Sequence, residues 1–95
     1  MLSKYELIKM SIKSVNVEMS ESRIMDALRG QDLSIDVIEG KVKEAAESLK
    51  DKGRDYGYDK CWMFVTFANG DTHKVRMDIT YDEDSLIEYL YYYIK

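Results

Sequence analysis

Apolar side chains recur along this chain with two different periods, and the switch between them marks out the elements. From Lys60 to Thr80 the chain is rich in β-branched and aromatic residues on both sides of Asn69-Gly70, the pattern of a β-hairpin. A two-residue type I′ turn at Asn69-Gly70 is the expected one. It sets Phe64 against Val75 and Trp62 against Met77, with Ile79 beside them, and makes that face core. A three-residue turn ending in a left-handed Gly70 would shift the pairing by one residue and set Met63 against Val75 instead. The first strand is apolar on both faces, as an inner strand is, so a third strand is expected beside it.

Elsewhere the period is helical. Tyr5, Ile8 and Ile12 are spaced for a helix, whereas Val15, Val17 and Met19 alternate, which predicts a short first helix followed by a strand at about Ser14 to Met19. Ser20 is placed to cap a helix from Glu21 to Arg29, with Met19 and Ile24 as its hydrophobic staple and Gly30 as its left-handed end. From Leu33 to Gly53, Ile35, Ile38, Val42, Ala45, Ala46 and Leu49 form one apolar stripe, with Asp36, Glu39, Lys43, Glu44, Glu47 and Lys50 mostly on the other side. This predicts one long helix with Ser34 at its start and Gly53 at its end. A strand at Leu33 to Val37, with the helix starting after Gly40, is the alternative. Tyr81 to Lys95 begins with acidic residues and continues with an apolar stripe of Leu86, Leu90 and Tyr93 flanked by Ile87 and Ile94, which predicts a terminal helix packed on the sheet. The expected fold is therefore α+β: one small domain over residues 1–95, an antiparallel sheet built on the 60–80 hairpin, and three to four helices packed on it.

Composition narrows the function more by exclusion than by assertion. With 95 residues, 45% of them apolar, the chain can bury one modest core. No apolar run is long enough to span a bilayer, and no secretory signal opens the sequence, so the expectation is a cytoplasmic protein. The single Cys61 cannot form an internal disulfide and reads as a buried reduced thiol. A net charge of −4 disfavours general attraction to phosphate backbones.

No group of residues suggests chemistry. His73 is the one histidine, and without a nucleophile or ligand partner nearby it reads as a solvent-facing strand residue. Asp82-Glu83-Asp84 lacks the spread of ligands and the glycine that a calcium loop needs, and reads as helix-start charge. One cysteine and one histidine do not make a structural zinc site, and the scattered glycines make no phosphate loop. Neither an enzyme, a metal nor a cofactor is expected.

The unusual feature is tyrosine: eight in the chain, four of them among the last seven residues. One helix cannot bury all four, and Tyr91 and Tyr92 are expected to point away from its apolar stripe. Exposed tyrosine gives rigid contact area with a polar tip, as protein interfaces favour. The alternative is that these rings lie over neighbouring side chains. The candidate partner-binding residues are Tyr89, Tyr91, Tyr92 and Glu88, with Asp82, Glu83, Asp84, Asp55, Tyr56, Tyr58 and Asp59 around them. The expected partner is a protein, either a host protein or a second copy in a homodimer, and not nucleic acid or membrane.

Two resemblances follow. The order helix, helix, hairpin, with Ala45 to Gly53 before the hairpin, resembles a winged helix, which implies a nucleic-acid-binding or regulatory role. It departs from that family in the acidic residues Asp36, Glu39, Glu44, Glu47 and Asp51 on the helix that would enter the groove. In size, lack of proline, acidity and tyrosine content the whole chain is similar to the small inhibitors that phages and mobile elements encode, anti-CRISPR proteins among them. That similarity implies binding a host protein so as to block it or its nucleic-acid site.

Overall fold

A computed structural model of the protein describes residues 2–51, 58–80 and 86–94. In chain order the elements are α1 (Lys4–Ser11), β1 (Ile12–Ser20), α2 (Arg23–Asp26), β2 (Asp32–Leu33), α3 (Ile35–Asp51), β3 (Tyr58–Phe67), β4 (Thr72–Thr80) and α4 (Leu86–Ile94). The strands form one sheet in the order β2-β1-β3-β4, antiparallel at every pairing. This is the expected α+β domain, with β1 as the third strand beside the hairpin.

The hairpin takes the three-residue turn. Phe67 N–H donates to the Asp71 carbonyl at 2.7 Å and Gly70 N–H to the Phe67 carbonyl at 2.9 Å, and Gly70 has φ of 95°, which side chains rarely tolerate. Asn69 supports the bend through its side-chain oxygen, which accepts the Asp71 N–H at 2.9 Å. Met63 therefore faces Val75, and Trp62 faces Arg76. The expected register is overturned, and with it the core face: Cys61, Met63, Val65, Val75, Met77 and Ile79 are buried, whereas Trp62 and Phe64 lie half-buried on the opposite face.

All the buried sheet residues share one face, where Val15 and Val17 of β1 join them. Ile8, Met25, the whole stripe of α3 from Ile35 to Leu49, and Leu86, Ile87 and Leu90 complete the core. The shortest dimension, 18 Å, fits one helical layer on one sheet. Among the described residues no buried cluster forms on the far side of the sheet.

Three local expectations change. The second helix is only Arg23–Asp26, capped by Ser22, whose hydroxyl accepts the Met25 N–H, and not by Ser20. Ser20 stays in β1: its hydroxyl donates to the Lys60 carbonyl at 3.0 Å and accepts from Ser22 N–H at 3.0 Å. Met19 is exposed and makes no staple, while Gly30 does end the segment at φ of 77°. Ser34 caps α3 as expected, accepting the Val37 N–H at 3.3 Å; Gly53 lies outside the described residues. Finally, Glu39 is buried, not on the polar side. Because β2 separates a single-turn α2 from α3, and the hairpin is half of the sheet under α3, the helix-turn-helix-wing arrangement is not formed.

Candidate functional site

The site is built from two helices that each bury one side and leave apolar residues on the other. Helix α1 is started by Ser3, whose hydroxyl accepts the Glu6 N–H, and it buries only Ile8. Its Tyr5 and Leu7 are nearly half exposed and its Met10 is 67% exposed. Helix α4 packs beside it, anchored by Leu86, Ile87 and Leu90, and leaves Tyr92 67% and Tyr93 47% exposed. An apolar helix face turned to water costs free energy unless something covers it.

The two helices are tied through Lys4. Its ammonium lies 2.7 Å from the Glu88 carboxylate and 5.8 Å from the centre of the Tyr91 ring. The hydrogen bond to Glu88 raises the Lys4 pKa above its usual value, desolvation opposes it, and the Glu88 charge, Tyr92 and Tyr5 add to the rise. Lys9 is raised likewise by its hydrogen bond to Asp36 of α3, 2.8 Å away. Tyr91 and Tyr92 meet edge to face, 5.4 Å between centres, and Tyr89 stacks with Tyr93 at 6.3 Å.

Where α1 and the end of α4 meet the hairpin turn, they enclose an open groove of about 840 Å³. Leu7, Met10, Phe67 and Tyr93 supply its apolar lining, and Asn69, Asp71 and His73 a polar wall. His73 is exposed, as expected, and its ring meets Phe67 edge-on at 5.2 Å. Among the described residues no group of three or more His, Cys, Asp or Glu side chains could hold a metal, and no helix is long and apolar enough to cross a membrane.

The residues singled out from the sequence separate in space. Tyr92 and Glu88 belong to this face. Tyr89 is half-buried, its hydroxyl donating to the Arg76 carbonyl on the outer edge of β4. Tyr91 is also half-buried, packed against the core, so the exposed pair is Tyr92 and Tyr93, where Tyr91 and Tyr92 were expected. Tyr58 and Asp59 start β3, at the end of the hairpin away from its turn, roughly 30 Å from Phe67 at ~3.3 Å per residue. Asp55, Tyr56, Asp82, Glu83 and Asp84 lie outside the described residues. Sequence reading missed Leu7, Met10 and Phe67. The signal was present in α1, an eight-residue helix with more apolar side chains than one side can bury.

The outer sheet face is the competing surface, and its charges are mostly paired, although Asp78 Oδ1 is buried there without a hydrogen-bond partner among the described residues. Lys74 reaches over Phe64, its Nζ 5.9 Å from the ring centre, to pair with Glu18 at 3.1 Å. Arg76 lies 3.8 Å from Asp78.

What the fold and this face define is a small two-layer α+β domain with an uncovered, tyrosine-bearing helical side. The chain belongs to the family described as large polyvalent protein associated domain 25, whose model matches residues 8–95, from the middle of α1 to the end. That membership places it with small phage- and mobile-element-associated domains. No curated protein and no solved structure matches the chain.

Proposed function

We propose that this domain is a non-enzymatic, cytoplasmic protein-binding module, and that it grips its partner with the outer sides of α1 and α4 and the groove at the hairpin turn. The observation that carries this reading is the uncovered apolar face itself: Met10 and Tyr92 are both 67% exposed, and Met10 lines a groove with Leu7, Phe67 and Tyr93. Side chains of this size are kept at a surface at a solvation cost that an interface recovers, and tyrosine and methionine are residue types that interfaces enrich. In a family associated with large polyvalent proteins, such a module serves either to block a host protein or to hold a neighbouring one. Steric block of a host protein, or of its nucleic-acid site, is the form the phage association favours.

The test is capture from the source cell with the native chain and with Met10→Glu, followed by identification of bound proteins. Met10 is exposed, so the substitution leaves the core intact. A specific protein should be captured by the native chain and lost with the variant at unchanged circular dichroism. Equal capture by both would move the interface elsewhere.

A further inference from the structure

We infer that the α1/α4 face closes on a second copy of this chain, forming a twofold dimer in which Tyr92 of each copy enters the groove of the other. This rests on the reading of that face as a protein interface, and it names a second copy as what covers the face when no host protein is bound.

The first argument is area. Leu2, Tyr5, Leu7, Met10, Tyr92 and Tyr93 are 42 to 67% exposed. At roughly 150–250 Å² for a whole aromatic side chain, they leave on the order of 500 Å² of apolar surface uncovered. That is near the upper end of what soluble monomers leave open, about 300–600 Å². It is also well over half of the ~800 Å² that each partner gives to a standard interface. The polar rim supplies the remainder.

The second argument is shape. A twofold interface must be self-complementary, since contact of one residue with another is returned by symmetry. This face carries both halves of such a contact. The groove between Leu7, Met10, Phe67 and Tyr93 is a receptor, and Tyr92, the residue before Tyr93, is 67% exposed on the same helix and available as an insert. A rotation that brings one Tyr92 over the partner's groove brings the partner's Tyr92 back over this one.

The third argument is charge. Helices α1 and α4 carry Lys4, Lys9, Glu6 and Glu88, which cancel. Asp71 on the groove wall leaves the face near −1, most of the chain's −4 lies elsewhere, and two such faces meet with little repulsion. A polyanion or a strongly basic segment would find little net field here to recognise. The Lys4–Glu88 pair, more than a third exposed at both ends, can exchange partners across the twofold at no cost in charge.

Sedimentation of the native chain across a concentration series tests this, read beside the single variants Met10→Glu and Tyr92→Lys and their equimolar mixture. The native mass should rise from 11.1 kDa toward twice that value. Each variant alone should weaken association about tenfold or more, as loss of an interface anchor does. The mixture should recover much of it, because Tyr92→Lys of one copy then meets Met10→Glu of the other. Both residues are exposed, so folding is not at risk. A native chain that stays monomeric throughout overturns the proposal, as does a dimer indifferent to both variants or a mixture no better than its parts. If the chain is monomeric yet Met10→Glu abolishes capture of another protein, self-association falls and the protein-binding reading stands.

Discussion

The carboxylate of Glu39, buried in the second turn of α3, accepts the backbone N–H of Ile87 at 2.9 Å. The first N–H groups of a helix have no partner within it, and an acidic side chain placed there satisfies one and complements the helix dipole. Glu39 thus fixes where α4 starts, and through α4 it positions Tyr92 and Tyr93 beside α1. Glu39→Ala leaves the Ile87 N–H buried without its acceptor and should cost about 1.5–3 kcal/mol, measured by denaturant unfolding with Trp62 fluorescence. Glu39→Gln keeps an acceptor oxygen and should cost less.

The register makes opposite claims about neighbouring residues. Met63→Ala empties a fully buried site and should cost about 2–5 kcal/mol. Trp62→Ala acts on the outer sheet face and should cost less, although tryptophan is the larger residue. Gly70→Ala meets no atom within 4 Å, so its penalty is the backbone strain of φ at 95°, about 1–2 kcal/mol. A Trp62→Ala loss exceeding that of Met63→Ala would contradict this pairing.

Burial raises the Cys61 thiol from its ordinary 9.0 to about 11, with the Ser20 hydrogen bond opposing and the Asp26 charge adding to the rise. The sign follows from proton counting. Between these two values the folded thiol holds its proton while the unfolded one releases it, so unfolding is favoured as pH rises. Stability should be flat below about pH 9 and fall by on the order of 2–3 kcal/mol by pH 11. In Cys61→Val this part of the fall should be absent, which separates it from tyrosine ionisation; denaturant titrations of both proteins at each pH give the comparison.

Duplex DNA binding, which the winged-helix resemblance implies, should be absent. Helix α3 turns Asp36, Glu44 and Glu47 outward among Lys41, Lys43 and Lys50, so its outer side has no net positive field, and phosphate contact needs one. A mobility shift at physiological salt with micromolar or tighter affinity would reverse this conclusion.

Much of the fold was legible because particular residues had one structural use: Gly70 for a hairpin turn, Ser34 and the Ile35 to Leu49 stripe for α3, Val15 and Val17 for an inner strand. The register was not legible. Both faces of β3 are apolar, Cys61, Met63 and Val65 against Trp62 and Phe64, so alternation within that strand could not choose between two turns differing by one residue. Alternation in β4 was common to both. Glu39 was hidden for another reason: its burial depends on α4 arriving over it, which no local pattern records. In α4 each residue advances about 100° around the axis, so a modest error in phase exchanged Tyr91 with Tyr93. The groove was the least legible part, since it joins α1, the hairpin turn and α4 from distant parts of the chain.

The interface itself is tested most directly by amide hydrogen exchange, comparing the chain alone and diluted with the chain bound to its partner, another copy included. Protection should rise over Leu7 to Ser11, the turn from Phe67 to His73, and Tyr91 to Tyr93, with Tyr58 and Asp59 unchanged. Protection confined to the outer sheet face around Trp62 and Phe64, or to the outward side of α3, with α1 and the end of α4 unaltered, would contradict it.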